Sequence, residues 1–170
     1  EIGSTAPGRY AFAVIGDSHS RALASAIGNV ARGVGAKGLY LGRVACPPLL
    51  GLDRYGAGDW RCAEHFDWAM RRIAEENIGT VIVVARWGVV LPPASYGNER
   101  VADLRYARDG HEIPRDRLAA AVEAGLRATF DGLAGRRVVV LFSIPEIGFD
   151  VPMVLAASAR FGWTPPPPPD

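Results

Sequence analysis

Four apolar runs punctuate the chain: "YAFAVIG" (10–16), "GLYLGRVA" (38–45), "TVIVVAR" (80–86) and "RRVVVLFSI" (136–144). They are rich in Val, Ile and aromatic residues and show little polar alternation, which predicts strands buried on both faces. Between them the apolar positions change to a helical period. "SRALASAIGNVARGV" spaces Leu23, Ile27, Val30 and Val34 along one stripe. "AEHFDWAMRRIAEENI" does the same with Phe66, Met70 and Ile73, and "RDRLAAAVEAGLRATFDGL" with Leu118, Val122, Leu126 and Phe130. Strands alternating with helices of this length predict a parallel sheet covered by helices on both faces. In such sheets, sites form at the carboxyl ends of the strands, in the loops that lead into helices.

Those loops differ in length. The turn after the first run is tight. The turn after the second holds "CPPLLGLDRYGAGDWRC", and the segment after the third is long, a common mark of function. Within that long segment, "RVADLRYARDGHEI" predicts a hairpin turning at Asp109-Gly110. After the fourth run comes "PEIGFDVP", then a helix-like piece, "MVLAASARFG". The pattern divides the chain into a linker at 1–9, a domain at 10–162 and a Pro-rich segment at 163–170, whose five prolines favour polyproline II.

With 170 residues, 49% hydrophobic and 22% charged, the chain can bury one core. A net charge of +1 gives no basis for a nucleic-acid surface. No apolar run approaches the roughly 20 residues of a membrane helix. The opening "EIGSTAPGRY" lacks a signal-peptide core, so the chain reads as an excised or processed domain. Two cysteines cannot build a structural zinc site, and no His/Asp/Glu cluster has ligand spacing, so neither metal nor cofactor is expected. Cys46 and Cys62 flank the second loop. They read as a disulfide closing it, which implies an oxidising compartment, or as two buried thiols. "GVGAKG" matches G-x-G-x-x-G at Gly33, Gly35 and Gly38, but it follows a helix and precedes a strand. The dinucleotide fingerprint needs the reverse order.

The chemistry concentrates at "VIGDSHSRAL" (14–23). A strand ending near Ile15 puts Ser18 at the carboxyl edge of the sheet and the amino end of the first helix. Unpaired N–H groups converge there and the helix dipole favours negative charge. The Ser18 N–H is placed to donate to a tetrahedral oxyanion. Gly16 permits a sharp turn, and Asp17 caps the helix or fixes the loop. On these four residues alone, Ser18 reads equally as a nucleophile or as part of an ordinary cap.

"VIGDSHSRAL" resembles the first block of the SGNH/GDSL hydrolase superfamily in its Gly-Asp-Ser-His form. "CPPLLG", "VIVVARW" and "PEIGFDVP" follow in order and are similar to one branch of it. That branch is the periplasmic SGNH domain fused to integral-membrane acyltransferases that O-acetylate bacterial surface polysaccharides. The resemblance covers about residues 10–162. It implies a flavodoxin-like three-layer α/β/α fold with a central parallel sheet, and Ser18 as nucleophile, with a His base oriented by an Asp. It also implies further oxyanion donors after the second and third strands.

Two departures stand out. The superfamily's Gly-x-Asn-Asp block is absent, and "ARWG" takes its place. Arg86, Trp87 or the Gly88 backbone would then line the site, and backbone near Gly42 or Arg43 would supply the second donor. The Asp-x-x-His block and a fifth strand are also missing, which reads as truncation before the last strand and helix or as a non-catalytic homologue. Of the three histidines, His19 adjoins Ser18 and reads as site lining. His65 lies early in the second helix on a solvated or loop-facing position. His111 is the best in-chain base, although a surface role fits it better. Trp87 reads as a sugar-stacking ring or as core, and Arg86 as an acceptor-orienting group or an ion-pair partner of Asp17.

The resemblance therefore implies an acyltransferase domain on the periplasmic face of the inner membrane. It would move an acetyl group through a Ser18 acyl-enzyme to a polysaccharide or oligosaccharide hydroxyl, with acyl groups supplied by a membrane acyltransferase domain of the same chain. A stand-alone carbohydrate acetylesterase and a non-catalytic glycan-binding module are the alternatives.

Overall fold

A computed structural model describes residues 1–55, 61–90, 105–142 and 151–162. The long apolar runs become the central strands β2 (Phe12–Gly16), β3 (Lys37–Tyr40), β5 (Thr80–Val84) and β8 (Arg137–Leu141). The helical stripes become α1 (Ser18–Gly33), α2 (Cys62–Glu75) and α3 (Arg115–Gly132), and the helix-like piece after the fourth run becomes α4 (Val151–Phe161). The four central strands pair in parallel in the order β3-β2-β5-β8.

Residues 1–9, expected as a linker, instead supply an edge strand, β1 (Ile2–Gly3), antiparallel to β3. Ile2 packs on the core beneath α1, which offsets the entropy of ordering this short piece. Residues 145–150 of "PEIGFDVP" and the Pro-rich segment at 163–170 lie outside the described residues.

The sheet has two differently packed faces. Phe12 and Val14 face α1 with Ala31 and Val84; Ala13 and Ile15 face α2, where Phe66, Ala69 and Ile73 pack with Val81 and Val83. The period of two along β2 therefore feeds both cores, which is why its sequence shows no polar alternation. From β2 the chain crosses to β3 on one side and later to β5 on the other. Crossovers of one hand running in opposite directions leave their helices on opposite faces. The carboxyl ends of β2, β3 and β5 meet at this reversal.

The predicted hairpin forms: β6 (Arg105–Arg108) and β7 (His111–Glu112) turn through Asp109 at φ 52° and Gly110 at φ 79°. Successive positive φ values match the twist of a two-residue hairpin. β6 also pairs with β4 (Asp53–Tyr55), so a second, three-stranded sheet grows out of the two loops. Beneath it Leu49, Leu52, Val90 and Tyr106 form a core with Leu118 and Val122 of α3.

Candidate active site

β2 ends on Gly16, paired with Val84 of β5. Its φ is +144°, and a Cβ there would sit 1.6 Å from the Val84 carbonyl oxygen. Only glycine lets the chain leave the strand this close to its neighbour. Asp17 follows as the N-cap of α1, with extended backbone (φ −92°, ψ −150°). Its carboxylate is buried and accepts two main-chain bonds: from the His19 N–H at 2.8 Å and from the Arg86 N–H at 2.9 Å. Its carbonyl accepts from the Ser20 hydroxyl at 2.6 Å and the Arg21 N–H at 3.3 Å. Asp17 is thus the helix cap and also the tie between the turns after β2 and β5.

Ser18 is exposed and opens α1. The first N–H groups of a helix have no partner within it. Asp17 takes up that of His19, and the Ser18 N–H stands beside its own hydroxyl at the positive end of the helix dipole. His19, expected to line the site, is half-buried beside Asp17. Its Nδ1 lies 3.8 Å from the Asp17 carboxylate, too long for a hydrogen bond, and is buried with no hydrogen-bond partner among the described residues.

The second loop runs alongside. After β3 the Leu41 N–H donates to the Val14 carbonyl and the Arg43 N–H to the Gly16 carbonyl, each at 2.8 Å. Gly42 lies between them, so its own N–H is not used in pairing with β2. A Cβ on Gly42 would fall 2.4 Å from Ser20 Oγ and 2.6 Å from the Tyr40 hydroxyl. Those two hydroxyls are 3.2 Å apart. A side chain at 42 would have to push these two hydroxyls aside.

Trp87 begins a single 3-10 turn, Trp87–Val89, after β5. Its indole N–H donates to the Leu141 carbonyl at 2.8 Å and its ring packs against both cores on this side of the sheet. Arg86 meets Asp17 through its main-chain N–H. Cys46 and Cys62 are joined by a disulfide, Cα to Cα 5.4 Å, that pins the second loop to the start of α2. His111 is exposed on the hairpin.

His65, expected on a solvated or loop-facing position early in the second helix, is half-buried. Its Nε2 lies 2.9 Å from the Leu41 carbonyl oxygen, so it faces the loop that carries Gly42. Burial pushes its imidazole below the usual histidine range; the Leu41 carbonyl opposes this and the Arg43 charge adds to it. The signal was present in the spacing: His65 is three residues from Cys62, on the same side of the helix, and Cys62 already pointed to the loop.

The chain can now be set beside known proteins. A solved structure of the periplasmic domain of a lipopolysaccharide acetyltransferase from Salmonella ser. Paratyphi A superposes with a TM-score of 0.57 at 16% identity, over 94% of this chain and 54% of that one. The chain thus spans about half the length of that one, and at this identity the likeness shows the fold alone, a central, mostly parallel sheet with helices. No curated protein matches the chain. No described helix is long and apolar enough to cross a membrane. The family model of SGNH domains fused to AT3 domains matches residues 1–169, and the chain belongs to that family.

Proposed function

We propose that the chain is a serine acyltransferase domain. It takes an acetyl group as a Ser18 ester and passes it to a hydroxyl of a bacterial envelope polysaccharide, on the periplasmic side of the inner membrane. The observation that carries this reading is Ser18 itself: exposed, first in α1, on a turn held from both sides by the buried Asp17 carboxylate. Family membership supports the class of chemistry, and the fusion to AT3 membrane acyltransferase domains supports an acyl donor delivered from the membrane.

In this reading Ser18 Oγ attacks the donor's acyl carbonyl and gives up its proton to a general base. The oxyanion takes hydrogen bonds from the Ser18 and Gly42 N–H groups. Collapse expels the donor's leaving group with a proton from the conjugate acid. The acceptor hydroxyl then repeats the sequence in reverse, losing its proton to the base as its oxygen becomes the new ester. In this reading the base is the histidine of the family's Asp-x-x-His block, which residues 1–170 do not contain. The 170-residue chain alone is accordingly expected to be nearly inactive, since loss of the base costs several orders of magnitude in rate.

The test is covalent labelling of the full-length protein with a fluorophosphonate, read by peptide mapping. Label on Ser18, and loss of acetyl transfer in Ser18→Ala, are the expected results. Undiminished acetyl-ester turnover in Ser18→Ala would overturn the nucleophile. A full-length protein that hydrolyses acetyl esters but acetylates no glycan would be an acetylesterase. One that binds glycan without labelling would be a binding module.

A further inference from the structure

The Gly42 N–H belongs to the same peptide unit as the Leu41 carbonyl. That unit is planar, and in its trans form the N–H and C=O point in opposite directions. Whatever holds the Leu41 oxygen therefore aims the Gly42 N–H. The holder is His65, whose Nε2 lies 2.9 Å from that oxygen.

We propose that His65 is a positioning residue, which aims the Gly42 N–H at the oxyanion through the Leu41–Gly42 peptide. The proposal rests on the acyl-transfer reading above. Five further contacts make the lever stiff. The Leu41 N–H is fixed to Val14 and the Arg43 N–H to Gly16, so the peptide is gripped on both flanks. The Leu41 side chain is buried in the core beneath α2. The His65 ring meets Phe66 edge-on, with centroids 5.2 Å apart. One turn back along α2, the Cys62–Cys46 disulfide ties the far end of the loop to the same helix.

A strand could end here without a histidine, its last carbonyl left to water. A donor on that oxygen does two things water does less well. It fixes the plane of the amide, and it polarises the amide so that its N–H becomes a better donor. Both effects are largest when charge develops on the substrate oxygen, so they act on kcat more than on KM.

The experiment uses the full-length protein with three substitutions: His65→Leu, which removes the donor; His65→Gln, which restores an N–H at similar reach; and His65→Glu, which matches Gln in length but offers only acceptors when ionised. kcat and KM for an acetyl ester and the rate of fluorophosphonate labelling at Ser18 are measured with Tm beside them. His65→Leu is expected to lower kcat and the labelling rate together by about 10- to 30-fold, with KM within about 2-fold, somewhat less than the loss of an oxyanion donor itself. His65→Gln is expected to recover to within about 3-fold of wild type, with His65→Glu no better than Leu.

A Leu variant with wild-type kcat, or a Gln variant as impaired as Glu, would overturn the proposal. If Leu fails to fold, the Gln and Glu pair decides. Should Ser18→Ala abolish labelling while His65→Leu changes nothing, this inference falls and the nucleophile stands. Should wild-type Ser18 not label at all, both fall.

Discussion

The Asp17 carboxylate and the Arg86 main-chain N–H lie 2.9 Å apart, and that bond joins the turns after two neighbouring strands. The same carboxylate holds the His19 N–H at 2.8 Å. An alanine at 17 leaves two main-chain donors at a buried position without their acceptor. Loss of the cap and of the second bond should cost about 1–3 kcal/mol. Asparagine keeps one acceptor and meets the other N–H with its own amide, so it should fall between. Urea unfolding of wild type, Asp17→Asn and Asp17→Ala checks the order. An alanine variant within about 0.5 kcal/mol of wild type would mean that the tie carries no weight.

Gly16 makes a harder demand. With φ at +144° and the Val84 oxygen 1.6 Å from any added Cβ, Gly16→Ala must break the β2–β5 pairing at the site itself. A loss above about 4 kcal/mol, or no soluble protein, is expected. Gly33, at the end of α1, has no atom within 4 Å of its Cβ position. Gly33→Ala should be neutral or stabilise by up to about 1 kcal/mol, the ordinary gain over glycine in a helix. Expression and thermal melts of the pair separate a steric need from a general dislike of alanine.

The contrast shows what the sequence could and could not convey. The central strands and the helices were legible because their apolar period follows from burial on one or two faces. β3 was expected to reach Ala45 and stops at Tyr40, since the residues after it turn from strand pairing to the site. β1 and the β4-β6-β7 sheet were read in part or missed. Two-residue strands carry no period, and the partner of β6 is 50 residues away in sequence. At the site, the sharp turn at Gly16 and the cap at Asp17 were legible from local order, while the nucleophile reading of Ser18 came from the family resemblance. The bond from Asp17 to Arg86 and that from His65 to Leu41 were not, because both join segments that only the folded sheet brings together.

The disulfide is the next feature open to test. Cys46 and Cys62 are 0% and 1% exposed and 16 residues apart. Replacing both by alanine should lower stability by about 3 kcal/mol, the loop-entropy value for that spacing. Because both sulfurs are buried, reductant should act on the native protein only as fast as the region opens. Thiol trapping under native and denaturing conditions checks this. Rapid trapping in native buffer would show that the loop of Gly42 is looser than its contacts imply.

His65 predicts a pH dependence whose sign follows from burial. Its folded pKa lies below the usual value, burial being the largest cause, with the Arg43 charge acting the same way and the Leu41 carbonyl acting against both. The unfolded chain keeps an ordinary value of about 6.5. Between the two, the unfolded state holds more protons. Stability is therefore full above about pH 6.5, declines as the pH falls below it, and levels off once the folded imidazole also protonates. Phe66 and Trp68, the rings packed against it, do not titrate in this range. His65→Gln keeps a donor to Leu41 and removes the titration. Urea midpoints from pH 7.5 down to 5 should decline in wild type and stay flatter in His65→Gln. Parallel declines in the two proteins would place the acid sensitivity elsewhere.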